Sequence, residues 1–176
     1  MADKKIIILV GPSGSGKTSI GKKLEEKSIP RLVTTTTRSA RSNEIDGKDY
    51  YFRKPSEMDK DDFVEQTIYN ENQYGLTKDE ISTKLKKHDR VHVSLDKNGA
   101  RAVKEKYPKE SFIIFVKIKE EEMVKRMKKR GDSKMQIQER LSLAQATKEL
   151  VPLEEADLVI RNKEIDETVK EIMNHI

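Results

Sequence analysis

The 176 residues contain no cysteine and only three histidines. Without cysteine there is no disulfide, no thiolate metal site and no cysteine nucleophile, and a reducing compartment is the expected setting. His88, His92 and His175 match no catalytic or metal-binding pattern and read as structural or surface residues. Long apolar runs are also missing. The first run, Ile6–Val10, has five residues, too short for the core of a secretion signal. No stretch approaches the roughly 20 apolar residues that span a membrane. The expectation is therefore a soluble, cytoplasmic protein. The excess of one charge sign is small: 36 Lys and Arg against 31 Asp and Glu, a net charge of +5. Lys and Glu alternate over solvated stretches such as Lys117–Lys129, and no nucleic-acid motif accompanies them, so a nucleic-acid partner is not expected.

What is present suits one domain of about average length. Apolar residues make up 34% of the chain and charged residues 38%, which implies a lean core under a dense polar surface. Lys5–Val10, Val91–Leu95, Ser111–Ile118 and Leu158–Ile160 read as buried strands, and Arg31–Thr35 as a further short one. Thr18–Lys27, Lys78–Lys87, Asn98–Lys106, Glu120–Arg130, Met135–Lys148 and Glu164–His175 read as helices. Acids open and bases close Glu120–Arg130, which complements the helix dipole. Residues 36–75 are rich in turn formers and predict an irregular, partly β excursion with a helix around Glu57–Glu65. Strands alternating with helices predict an α/β fold on a parallel sheet.

Residues 11–18 read GPSGSGKT, matching G-x-x-x-x-G-K-[ST] at Gly11, Gly16, Lys17 and Thr18. A chance match in such a chain is on the order of 1%. The loop lies between an apolar strand and a helix, where its mechanism needs it. Backbone N–H groups of Gly11, Pro12, Ser13, Gly14, Ser15, Gly16, Lys17 and Thr18 (proline excepted) turn toward one point, and the helix N-terminus reinforces them against phosphate. Lys17 adds a charge between the β- and γ-phosphates, and the Thr18 hydroxyl can ligate Mg²⁺. ATP or GTP binding follows. A switch GTPase should carry a later N-K-x-D, which is absent, and a motor or helicase needs a longer chain. A small kinase remains.

Beyond the loop come TTTTRSARSNEIDGKDYYF at Thr34–Phe52, Glu65, Gln73-Tyr74-Gly75, KRMKKRGD and ERLSLAQA. In this order and spacing nearly the whole chain resembles guanylate kinase. The most specific part is T-R-x-x-R…E-x-x-G-x-D-Y at Thr37–Tyr50. The resemblance implies a parallel-sheet P-loop kinase core with helices on both faces (1–33, 90–118 and 149–176). It also implies an inserted mixed α/β acceptor-binding region (34–89) and a small helical lid (119–148). It implies transfer of the γ-phosphoryl group of ATP to GMP or dGMP, with Mg²⁺, by a monomer or homodimer.

By that resemblance Arg38, Arg41, Tyr50 and Tyr74 hold the acceptor phosphate. Thr34 and Glu65 read guanine, with Gly75 beside them and Asp96 near both the acceptor and the metal, which Thr18 shares. Lys17, Arg126, Arg130 and Arg140 take catalytic roles, and Asn162 lies near the ATP base. The chemistry agrees: a nucleoside monophosphate is already an anionic nucleophile, so the task is to cancel repulsion and align it, for which arginine forks are suited. A lid that closes excludes water and so limits wasteful hydrolysis.

Three positions depart from the family pattern. Leu76 stands where a Ser or Thr contacts guanine, with the hydroxyl of Thr77 next door. Ser94 replaces the first of two acids, and Asn43 replaces a glycine. The first bears on guanine selectivity and the second on metal placement. Two other readings are a monophosphate kinase with an altered acceptor base and an inactive phosphopeptide-binding module. The module generally lacks the intact loop or the lid arginines, both of which are present here.

Overall fold

The fold is taken from a computed structural model, which describes residues 3–69 and 71–176. Its centre is strand β1 (Lys5–Val10), where Ile6–Leu9 are fully buried and Val10 nearly so. A strand alternates its side chains, so β1 feeds two cores at once. Ile6, Ile8 and Val10 join Val91, Val93, Ile113 and Phe115 on one face; Ile7 and Leu9 join Ile114, Val116 and Ile160 on the other. These partners lie on β6 (Arg90–Ser94), β7 (Ser111–Lys117) and β8 (Leu158–Arg161), all parallel, in the order β6-β1-β7-β8.

Helices cover both faces. Helices α2 (Lys78–Lys87) and α3 (Lys97–Lys106) bring Ile81, Leu85, Ala100 and Val103 to the first core. Helices α1 (Lys17–Glu26) and α6 (Ile165–His175) bring Ile20, Leu24, Val169 and Ile172 to the second. The α/β class and the two-faced sheet agree with the sequence reading.

A second sheet has the order β3-β2-β5-β4, from β2 (Thr35–Thr36), β3 (Tyr51–Phe52), β4 (Phe63–Tyr69) and β5 (Asn72–Thr77). Here the structure corrects two expectations. The helix around Glu57–Glu65 is instead two 3₁₀ turns, Pro55–Glu57 and Lys60–Asp62, running into β4. Pro55 opens the first turn, and Asp59 caps the second by accepting from the Asp61 N–H at 3.0 Å. The β-branched and aromatic residues that follow then pair with β5. The strand at Arg31–Thr35 is split: Arg31 bridges His92 on the edge of β6, where Leu32 N also donates 2.8 Å to the His92 carbonyl, and Thr35 opens β2. Between these two pieces the Val33 N–H goes 2.8 Å to the Glu80 carboxylate rather than to a strand.

Helices α4 (Glu120–Arg130) and α5 (Lys134–Ala146) form a separate apolar cluster of Met123, Met127, Ile137 and Ala144, with Ile118 at its foot. Gly131, at φ 95°, ends α4 in a left-handed turn, and Ser133 with Gln136 caps α5. Helix α5 stops at Ala146 rather than Lys148, because Lys148 takes φ 53°. Among the described residues no helix is long and apolar enough to cross a membrane.

Candidate active site

The loop Gly11–Thr18 leaves the C-terminal end of β1 and enters α1. Gly14 (φ 78°) and Gly16 (φ 103°) take left-handed conformations that turn the loop back on itself. A Cβ at Gly16 would lie 2.0 Å from Asn162 Nδ2. Asn162 therefore packs on the back of the loop: its amide donates to the Ser15 carbonyl at 3.4 Å and accepts from the Thr168 hydroxyl at 3.2 Å. The Lys17 ammonium donates to the carbonyls of Gly11 and Pro12 inside the loop. Burial pulls its pKa down to about 8, Glu149 opposes that shift, and Arg140 adds to it. Lys17 thus stays mostly protonated at pH 7.

Lys17 lines two clefts. One, of about 370 Å³, brings it together with Gly11, Ser13, Asp96, Arg140 and Glu149. The other, of about 700 Å³, runs from Lys17 and Thr18 past Ser94 to Thr34 and Tyr50. A comparable cleft of about 720 Å³ lies on the far face of the second sheet, beside Thr35, Tyr51, Phe63 and Thr77, and contains none of the predicted site residues.

Each of the three arginines expected in the lid meets a carboxylate. Arg140 grips Glu149 with both arms, at 2.7 and 3.4 Å. Arg126 meets Glu122 at 3.0 Å and also donates to the carbonyls of Gly14 (2.5 Å) and Asn162 (3.2 Å), so it rests against the loop. Arg130 pairs with Asp132 in the turn between α4 and α5 and lines neither cleft.

At the second sheet Arg38 forks onto Glu44, at 3.0 and 2.7 Å, and stacks 5.4 Å over the Tyr50 ring. Tyr50 meets Tyr74 edge-on, with ring centroids 6.0 Å apart. These three sequence-predicted residues therefore converge. The Arg38 fork and the Arg41 backbone N–H hold Glu44 down to about 2. The Arg41 side chain is exposed and, among the described residues, forms no hydrogen bond or ion pair.

Glu65 and Asp96 converge over the start of α3. A Cβ at Gly99 would lie 3.2 Å from Glu65 Oε2 and 3.3 Å from Asp96 Oδ1, so any larger residue there would press on both carboxylates. Asp96 caps α3, accepting from the Gly99 N–H at 2.7 Å. Burial, and then the charge of Asp96, push Glu65 up to about 7, against a hydrogen bond from the Leu76 backbone. Gly75 is required by packing: its Cβ would fall 2.4 Å from the Phe63 ring. The Leu76 side chain lies wholly in the first core. The neighbouring Thr77 hydroxyl caps α2 at Glu80 N and faces the far cleft, so it does not replace the missing hydroxyl.

Sequence reasoning missed the carboxylates that organise these groups: Glu44, Glu122, Glu149 and above all Glu80. Glu80 is buried on α2, where it accepts from Val33 N at 2.8 Å and from the Tyr51 hydroxyl at 3.0 Å. It thereby pins the chain on either side of Thr34. Glu44 alone carried a signal, as the acid of the T-R-x-x-R…E block. His92 is buried against Gly21 of α1, with no hydrogen-bond partner on either ring nitrogen among the described residues. Burial lowers its pKa to about 4, so it packs as a neutral ring, in keeping with a structural role.

Comparison with known proteins adds to this geometry. The family model described as guanylate kinase matches residues 3–176. The chain is 35% identical to the guanylate kinase of Prochlorococcus marinus subsp. pastoris, across 98% of this chain and 97% of that protein. It is also 35% identical to that of Mycoplasma pneumoniae, across 96% and 73% respectively. A solved guanylate kinase from Anaplasma phagocytophilum superposes with a TM-score of 0.69 at 26% identity, covering 99% of this chain and 85% of its own.

Proposed function

The chain belongs to the guanylate kinase family, and we propose that it transfers the γ-phosphoryl group of ATP to GMP or dGMP, giving ADP and GDP or dGDP. The observation that carries this reading is the junction at Lys17. One side chain lines both the cleft with Arg140 and Asp96 and the cleft that leads to Thr34 and Tyr50. A donor phosphate held on the loop Gly11–Thr18 and an acceptor phosphate held by Arg38, Arg41, Tyr50 and Tyr74 would meet there.

In this reading an oxygen of the acceptor phosphate attacks the γ-phosphorus, and the bond to the bridging oxygen of ADP breaks. No base is needed, because the nucleophile is already ionised. Lys17 and Arg140 offset the charge on the transferring group, and Arg126 braces the loop. Arg41 is exposed with no side-chain partner among the described residues, and Arg130 would leave Asp132 to swing onto phosphate. Glu65 accepts from guanine N1–H and the 2-amino group. The regions 1–33, 90–118 and 149–176 act as the core, 34–89 as the acceptor-binding part and 119–148 as the lid.

The donor set fits Mg²⁺. Among the described residues no group of three acids or histidines forms a cage. The Thr18 hydroxyl and the carboxylate oxygen that Asp96 does not spend on Gly99 are hard ligands of the kind Mg²⁺ combines with phosphate oxygens and water. When bound, Mg²⁺ would neutralise charge on the phosphates. The lack of cysteine supports a cytoplasmic setting, and a monomer or homodimer is the proposed assembly.

The test is ADP release with GMP, dGMP, AMP, UMP and CMP as acceptors. GMP and dGMP should exceed AMP in kcat/KM by about 10²-fold or more, since adenine leaves the Glu65 carboxylate facing a bare N1. If GMP is no better than AMP, the acceptor assignment fails. Leu76 makes this panel informative, because it supplies no hydroxyl and leaves the reading of the base to Glu65 and Thr34.

A further inference from the structure

Glu149 has no part in the transfer chemistry described above, yet it holds one of its members and acts by charge on another. Its carboxylate holds both arms of Arg140, and its charge partly offsets the effect of burial on Lys17. The local chain places it there. Lys148 takes a left-handed turn after α5, and the Glu149 N–H returns 2.9 Å to the Ala144 carbonyl, which swings the side chain back along the helix toward Arg140.

The second anchor lies on the core. Lys97, in the first turn of α3 and next to Asp96, donates to the carbonyls of Lys148 (2.7 Å) and Val151 (2.5 Å), one residue before and two after Glu149. The backbone of Glu149 is thus clamped to the parallel-sheet core, while its carboxylate reaches an arginine of α5. An arginine on a long side chain has many rotamers. A bidentate carboxylate removes most of them and fixes the plane of the fork.

We propose that Glu149 is a positioning residue for phosphoryl transfer: clamped to the core by Lys97, it aims Arg140 into the cleft that holds Lys17. It acts through Arg140 and touches no substrate. The inference rests on the reading of Arg140 as a group that meets the transferring phosphoryl.

The test is a double-mutant cycle with steady-state kinetics and thermal midpoints on the same samples. Glu149→Gln keeps the shape and loses the charge that fixes the fork. It should lower kcat about 10- to 100-fold, the scale of a misplaced catalytic group, with KM for GMP unchanged within about twofold. Glu149→Asp, which keeps the charge, should recover part of the loss. In an Arg140→Ala or Arg140→Lys background, Glu149→Gln should cost nothing further, because there is no fork left to aim. A merely structural role would instead lower the thermal midpoint and reduce kcat equally in both backgrounds, which overturns the proposal. So does unchanged kcat with a lower KM for ATP, which would make Glu149 a stand-in for phosphate in the empty enzyme. If Arg140→Ala itself leaves kcat intact, the catalytic reading of Arg140 fails first, and with it the premise here.

Discussion

The two sheets are held together by different physics. In the parallel sheet, β1 has every side chain from Ile6 to Leu9 fully buried, and both faces are sealed by helices. In the second sheet, β2 and β3 have two residues each, and the buried residues include Thr35 and Thr36. That sheet is stitched by side chains. Thr36 donates to the Gln73 carbonyl at 2.9 Å, Gln73 N donates to Thr37 at 2.9 Å, Phe52 N donates to Asp46 at 2.8 Å, and Arg31 donates to the carbonyls of Lys48 and Asp49. Apolar packing fixes the loop proposed to hold a donor phosphate through backbone groups. Directional polar bonds fix the frame proposed to read a base and an anion. The first frame tolerates any aliphatic of the right volume; the second depends on particular oxygen and nitrogen atoms.

The sharpest contrast comes from one substitution in each sheet. Ile8→Ala opens a cavity in the first core and should lower unfolding stability by about 2–5 kcal/mol in a denaturant titration. The folded fraction should keep its KM values, because Ile8 touches neither cleft. Glu80→Gln should cost less, about 1–2 kcal/mol, because the amide can accept from Val33 N and donate to a rotated Tyr51 hydroxyl, but both bonds lose the carboxylate's charge. Its kinetic effect should be the larger of the two: KM for GMP rises severalfold while KM for ATP stays put. A Glu80→Gln variant with both KM values unchanged would remove the claim that polar pins set the acceptor frame.

The same difference explains what could be read from the sequence. The five apolar residues of β1, the loop Gly11–Thr18 and the acid-to-base order along Glu120–Arg130 are local patterns, and they appear in the structure where the sequence put them. The pin from Glu80 to Val33 spans 47 residues, and that from Arg140 to Glu149 depends on a left-handed turn at a lysine. Neither leaves a periodic trace. The helix expected around Glu57–Glu65 failed for a related reason: Phe63–Tyr69 becomes a strand because β5 is there to pair with it. The convergence of Arg38, Tyr50 and Tyr74 was legible from the block at Thr37–Tyr50 together with Gln73-Tyr74-Gly75, whereas the carboxylate that Arg38 already holds was visible only as one acid within the block.

The smallest predicted effect tests the polar frame from within. Glu65 titrates near 7 in the folded protein, raised above the usual carboxylate range by burial and by Asp96. A raised folded pKa means that the folded protein holds a proton which the unfolded chain has lost. Stability from the neutral carboxyl is therefore full below about pH 4.5 and is lost as pH climbs through about 7. Glu65→Gln stays neutral throughout, so its thermal midpoint should match the wild type at pH 4 and exceed it at pH 8 by about 2–4 °C, the equivalent of roughly 1 kcal/mol after screening by water. Guanine binding should run the other way, since its N1–H and 2-amino group need the ionised form that the empty pocket disfavours. Wild-type affinity for GMP should then rise with pH through 7, beyond what ionisation of the GMP phosphate supplies, and the Gln variant should lose that excess. The phosphate contribution is measured separately with ribose 5-phosphate, which has no base to offer Glu65. If the Gln variant gains no stability at pH 8, the two acids over Gly99 are relaxed by water, and the low-dielectric pocket that lets one carboxylate discriminate between bases is not there.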